Sequence, residues 1–282
     1  MNAPFVVSGL TGGRMAIHPT AVIHPEAILG SEVEIGPFAV VGPRVTLGDG
    51  VRIDAHACVE GPTTIGAGTR LFPFSSVGSD PQDLKYDGEE TSLEIGANNR
   101  IREGVTISRG TGAGGGLTRI GDDNLFMANS HIAHDCLVGS NCIFANSAAL
   151  AGHVVFGDGA VLGGMAGVHQ NARIGRLAMV GAGAMCAQDV PPFTIAQGDR
   201  ARLFGLNIIG LRRGGFGHDD VQSLKQAYRM LFLAGTPLRM AITQVRTDLG
   251  GVAEVAELLA FIEKSQRGIC RGARHEGRGG KG

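Results

Sequence analysis

An aliphatic residue at every sixth position constrains this chain more than any other feature. It falls at Ile17, Ile23, Leu29, Ile35, Val41, Leu47, Ile53, Val59, Ile65, Leu71 and Val77 without a break. Two positions before most of these stands a small or β-branched residue, as at Ala21, Ala27, Val33, Ala39, Val45, Val51, Ala57, Thr63, Thr69 and Ser75. The phase is lost after Val77, returns at Ile95, Ile101 and Ile107, and lapses again through the glycine-rich GTGAGGGLTR. It then runs from Ile120 through Phe126, Ile132, Val138, Phe144, Leu150, Phe156, Leu162, Val168, Ile174 and Val180 to Cys186. A period of six fits neither the 3.6 of a helix nor an unbroken alternation of two, whereas short strands separated by regular corners satisfy it. Two inward side chains per hexad, one large and one small, fill a narrow prism, which is the signature of a parallel β-helix of hexapeptide repeats. An ordinary β-sandwich would space its turns irregularly.

Composition agrees with a small, repetitive interior. The chain has 46 glycines, no Trp and 2 Tyr, yet 43% of its 282 residues are hydrophobic, so it is neither disordered nor organised around large aromatics. That length suits either two domains or one elongated array. Hexapeptide solenoids resemble one another in being left-handed triangular coils of three hexads, and the left hand is expected here on that resemblance alone. The expected fold is therefore mainly β: a left-handed parallel β-helix over 15–191, with inserted loops at about 78–94 and 108–119, followed by a C-terminal α-helical domain over 192–268. Residues 1–14 read as a disordered extension, with Met15 an alternative start, and 269–282 as a disordered basic tail.

Charge and cysteine usage exclude several classes. A net charge of -1 argues against a general nucleic-acid binder. Cys58, Cys136, Cys142, Cys186 and Cys270 show no paired metal spacing and no signal segment precedes them, so a reducing cytoplasm is expected. No apolar run approaches the ~18 residues that span a bilayer. Regular outward Thr ladders, which an ice-binding or purely structural solenoid would need, are lacking.

Three hexads per coil place residues about 18 apart on one lane, separated by the ~4.8 Å of neighbouring strands. Ile132, Leu150 and Val168 then become successive inward residues of one face, and four of the nine histidines lie around them: His131, His134, His153 and His169. His134 stacks one coil from Gly152, and Asp135 one coil from His153. Isolated outward histidines are usually solvated, but four on one edge suggest a site. A zinc centre of the hexapeptide carbonic anhydrase type would need ligands converging at ~2.0–2.1 Å. His134 with an adjacent carboxylate fits a base with its orienter better, and no metal is expected.

The motifs HPTA, IGPF, QDLKY, RIRE, HIAHDC, LAGHV, GGM, VHQ, QDVPP, IAQG and FGLNIIGLRRGGF run in order from about His18 to Gly268. In these the chain resembles the UDP-N-acetylglucosamine O-acyltransferases that begin lipid A synthesis in Gram-negative bacteria. The resemblance implies transfer of a 3-hydroxyacyl group from the phosphopantetheine thioester of acyl carrier protein, a co-substrate, to the 3-hydroxyl of UDP-N-acetylglucosamine, with no cofactor. It implies His134 as general base, Asp135 as its orienter and the Gly152 N–H as oxyanion donor. It assigns sugar or nucleotide contacts to Asp83, Lys85, His131, His153, His169, Gln170 and Asn207, places Arg213 near phosphate, and links Ala182 to acyl-chain length. It also implies a homotrimer with sites at subunit boundaries. Ile209 stands where relatives often carry Glu, and Gly214 where a second Arg is usual. The sister N-acyltransferase of the pathway shares the solenoid but usually carries an extra N-terminal domain.

Beyond QDVPP the period of six gives way to helical spacing. The stretch HDDVQSLKQAYRMLFLAG is amphipathic, Thr236 and Pro237 are expected to open a second helix as N-cap and first residue, and Val255, Leu258, Leu259 and Ile262 mark a third. Residues 192–282 hold 14 Lys plus Arg against 8 Asp plus Glu. A basic cap of this kind suits an acidic carrier protein steered by charge.

Overall fold

The computed structural model describes residues 16–272, so the expected N-terminal extension and the end of the tail lie outside the described residues. Among the described residues, strands of two to five residues form three sheets of eleven, nine and eight strands, and all pairings but the last are parallel. The chain visits the sheets in strict rotation as far as Met185–Cys186. The register is the one that the period requires. Ile132 lies beside Ile107 on one side and Leu150 on the other, and Leu150 lies beside Val168. Every large member of the repeat from Ile35 to Cys186 is buried, and the small members fill the prism between them. Phe126, Phe144 and Phe156 stack in the interior with ring centroids 4.9 and 4.7 Å apart. At the small position Asn99 and Asn124 replace alanine. Asn99 Nδ2 donates to the carbonyls of Gly96 and Gly121, while its Oδ1 accepts from the Asn124 N–H, so the buried amide satisfies corner backbone that would otherwise be unpaired.

Corners are built from residues with positive φ, including non-glycines that ordinarily avoid this region. Asp135 has φ 59° and His153 φ 61°. The neighbouring coils hydrogen-bonded on both sides over-determine these conformations. Two longer segments interrupt the coil, and both leave the prism at one corner, between the second and third sheets. The first separates Ser76–Ser79 from Ser92–Ile95, and the second separates Thr106–Ser108 from Leu117–Ile120, with a 3-10 turn at Gly112–Gly114.

The C-terminal part departs from the sequence expectation in three respects. The sheet does not end at 191: Thr194–Gln197 adds in parallel to Met179–Val180, and Arg202–Leu206 turns back antiparallel, closing the edge. The helices follow as α1 (Ile208–Arg213), α2 (His218–Tyr228, continued by a π turn at Arg229–Leu233), α3 (Leu238–Leu249) and α4 (Ala253–Glu263). Pro237 itself is the N-cap of α3, with extended ψ of 130°, so Thr236 lies outside the helix. The basic tail is ordered at its start, because Cys270 is buried and Ile269 and Gly272 bridge to Asp189 and Leu203. Arg176 fastens α4 to the coil through Glu257 at 2.7 Å, and Arg173 lies over the Phe261 ring. No helix among the described residues is long and apolar enough to cross a membrane.

Phe144 touches aromatic rings on both sides in a prism with no room to collapse. Phe144→Ala is expected to cost about 3–5 kcal/mol, read as a lowered urea midpoint.

Candidate active site

The corner between the second and third sheets carries the histidines. His131 lies in the strand His131–Ile132 of the second sheet, and His134 and Asp135 occupy the turn that follows. One coil on, Gly152 and His153 occupy the same turn, with the His153 N–H donating to the His134 carbonyl at 3.0 Å. His169 and Gln170 begin the next, and both are exposed.

Asp135 is the centre of the arrangement. Its side chain is 1% exposed, and both carboxylate oxygens are engaged. Oδ1 accepts from the Thr111 N–H at 2.9 Å, and Oδ2 accepts from the Thr111 hydroxyl at 2.7 Å and from His134 Nδ1 at 2.7 Å. The Asp135 N–H donates to Thr118 Oγ1 at 2.8 Å. With only acceptors on the carboxylate, the shared proton belongs to Nδ1, which leaves Nε2 of His134 with its lone pair free. The His134 ring stands edge-on to His153, with centroids 5.1 Å apart.

Gly152 is set by space. A Cβ there would lie 2.5 Å from Cε1 and 2.7 Å from Nε2 of His134, so the imidazole can occupy its position only because this residue has no side chain. The buried Gly152 N–H has no acceptor among the described residues. His131 Nδ1 pairs with the Thr106 hydroxyl at 2.7 Å, and burial, followed by the His134 charge, holds its pKa below the usual value. It therefore stays neutral near pH 7 and adds no positive charge beside His134.

Among the described residues, His134, Asp135 and His153 are the grouping able to surround a cation, with ligand atoms within 4.8 Å of one another. A cation there would have to take Asp135 Oδ2 away from two short hydrogen bonds. The donor set is thus already committed to orienting an imidazole. Nor is a cysteine nucleophile at hand: Cys136 follows Asp135, but its thiol points inward to the Ala151 carbonyl and burial pushes its pKa up to about 12.

The remaining expected site residues lie elsewhere in the chain. Asp83 and Lys85 sit on the first insertion, at the histidine corner, where Asp83 Oδ1 accepts from the Lys85 N–H and the Lys85 side chain is exposed. Asn207 is at another corner, between the third and first sheets, capping α1 through Gly210 N and donating to the Leu177 carbonyl at 2.9 Å. Arg213 is exposed in the last turn of α1. Ala182 is at the third corner, between Met179–Val180 and Met185–Cys186. Sequence reasoning missed Thr111, Thr118 and Thr106, which position the histidines and their carboxylate. The available signal was the register, since the second insertion leaves the coil at the corner that carries His134 one coil later.

Comparison with known proteins agrees with this architecture. A family model described as Udp N-acetylglucosamine O-acyltransferase, Domain 2, matches residues 189–270, and one for the bacterial transferase hexapeptide matches 117–152. The chain is 52% identical over 255 residues to an acyl-[acyl-carrier-protein]--UDP-N-acetylglucosamine O-acyltransferase from Myxococcus xanthus, covering 90% of this chain and 99% of that one. It is 50% identical to the protein of the same name from Anaeromyxobacter, over 91% of this chain and all of the other. The solved structure of LpxA from Acinetobacter baumannii superposes with a TM-score of 0.88 at 46% identity, covering 90% and 99% of the two chains. The coil is the left-handed β-helix of these structures. With half its residues shared along nine-tenths of its length, the chain belongs to the acyl-[acyl-carrier-protein]--UDP-N-acetylglucosamine O-acyltransferase family.

Proposed function

We propose that the chain moves a 3-hydroxyacyl group from acyl carrier protein to the 3-hydroxyl of UDP-N-acetylglucosamine, with His134 as general base, as the first step of lipid A synthesis. One observation carries the assignment of the base: the His134 imidazole is held through Nδ1 by a buried carboxylate, with its Nε2 edge against a glycine. A sugar hydroxyl is a poor nucleophile, so Nε2 takes its proton as the oxygen attacks the thioester carbonyl. Negative charge then gathers on the carbonyl oxygen, where the Gly152 N–H is free to donate. Collapse breaks the carbon–sulfur bond, and the departing phosphopantetheine thiolate takes the proton back from the imidazolium, which Asp135 has stabilised meanwhile. No acyl-enzyme is formed, in keeping with the protonated, inward Cys136.

The active form is a homotrimer with its sites between subunits. Asn207, Arg213 and Ala182 stand at prism corners other than the histidine corner, so within one chain they cannot meet His134. A second copy laid against the histidine edge brings them there and walls off water. Lys85, exposed on an insertion that leaves the same corner, would meet the acceptor, and His131, His153, His169 and Gln170 would contact it from the histidine edge. The basic exposed residues of the C-terminal part, Arg202 and Arg212 among them, suit an acidic carrier protein. Five free cysteines and the lipid precursor chemistry fit the cytoplasm.

His134→Ala is expected to lose on the order of 10² to 10⁴ in turnover with its circular dichroism retained; near-normal turnover removes His134 from the mechanism. Gly152→Ala displaces the imidazole and is expected to lower kcat about 100-fold, whereas Cys136→Ala retains kcat in the same assay. Charge reversal at Arg202 or Arg212 to Glu is expected to raise KM for the carrier substrate and leave KM for the sugar nucleotide unchanged, and unchanged carrier kinetics would refute docking at this surface.

A further inference from the structure

The geometry points to Thr111, on the glycine-rich second insertion, as a positioning residue that sets the plane of the Asp135 carboxylate and through it the His134 imidazole. The inference rests on the reading of His134 as the general base. Thr111 is buried and donates twice to one carboxylate, through its N–H to Oδ1 and through its hydroxyl to Oδ2. The hydroxyl is not free to turn away, because the Gly114 N–H donates to its oxygen at 3.1 Å and leaves its proton for Asp135. Gly114 also backs the carboxylate directly: a Cβ at this residue would collide with the Asp135 side chain. The insertion therefore grips Asp135 with two donors and closes over it with a residue that must lack a side chain.

Thr111 is in turn held from outside the coil that carries the site. Arg109, with its side chain 9% exposed, donates to the Gly78 carbonyl in the strand Ser76–Ser79 and to the Asp80 carboxylate and Tyr86 hydroxyl of the first insertion. On the other side of Thr111, the Gly112 N–H donates to Glu89 Oε1 at 2.9 Å. The loop that carries Asp83 and Lys85 is thus bonded to the loop that orients the base, and both leave the prism at one corner. A rotation of the carboxylate by the loss of one donor would swing His134 away from the attacking oxygen, and displacements of about 1 Å at a reacting group cost as much as 100-fold.

The test is steady-state kinetics of the full chain with a 3-hydroxyacyl carrier protein and UDP-N-acetylglucosamine. Thr111→Val, which keeps the shape and the N–H but removes the hydroxyl, is expected to lower kcat on the order of 10- to 100-fold with KM for the sugar nucleotide within about twofold of the parent. Thr111→Ser restores most of the rate. In an Asp135→Asn background Thr111→Val should cost little further, because the two act as one unit. Full turnover in Thr111→Val, losses that simply multiply in the double variant, or failure of Thr111→Ser to recover would each overturn the inference. If Thr111→Val does not fold, Gly114→Ala presses on the same carboxylate with the hydroxyl intact, and normal kcat there also overturns it. Retained turnover in His134→Ala defeats the reading of the base itself, whereas loss in His134→Ala beside full activity in Thr111→Val defeats only the role of Thr111.

Discussion

Everything in this molecule depends on backbone hydrogen bonds that run between coils rather than within them. A strand of two residues has no stability alone; it exists because the coil below offers carbonyls at the right pitch and the coil above supplies N–H groups. That registry converts separation along the chain into proximity in space. His134 and Gly152 are 18 residues apart, yet the imidazole of one lies over the α-carbon of the other. The same registry explains the tolerance of positive φ at Asp135 and His153. Each costs energy locally, and the neighbouring turns leave the backbone no alternative.

The second theme is the burial of one charge. A carboxylate almost removed from solvent is expensive unless its acceptors are satisfied. Asp135 meets this condition with donors from three sources: a neighbouring imidazole, a backbone N–H and a hydroxyl. Low exposure then strengthens each of these bonds. The result is an imidazole with a defined tautomer at a corner of the prism, built from side chains that individually carry no strong signal. His131, kept neutral by burial, adds a partner without adding charge.

Much of this was legible from residue order. Ile132, Leu150 and Val168 declared their shared lane through spacing, and with it the juxtaposition of His134 and Gly152, because a regular solenoid maps position onto geometry almost linearly. The insertions were not legible to the same degree. GTGAGGG has no periodicity, and nothing in its composition says that Thr111 folds back on a carboxylate 24 residues later. A count of hexads would have shown that both interruptions follow a second-sheet strand, as His134 does, so that all three share a corner. The end of the β-helix was misjudged for a different reason. Thr194–Gln197 keeps the parallel pairing while the sequence between it and the preceding strand breaks phase at the two prolines, Pro191 and Pro192. The position of Pro237 likewise turned on one ψ angle, which composition does not reveal.

The linked insertions have a bearing on how this scaffold could change in length. Arg44 reaches Glu90, Arg109 reaches back to Gly78 and Asp80, and Thr111 reaches forward to Asp135, so that successive parts of the prism are laced together along one edge. Duplication or deletion of a whole layer inside that laced span would separate partners that must meet. A layer gained or lost outside that span, before Arg44 or beyond His153, would leave every one of those ties intact.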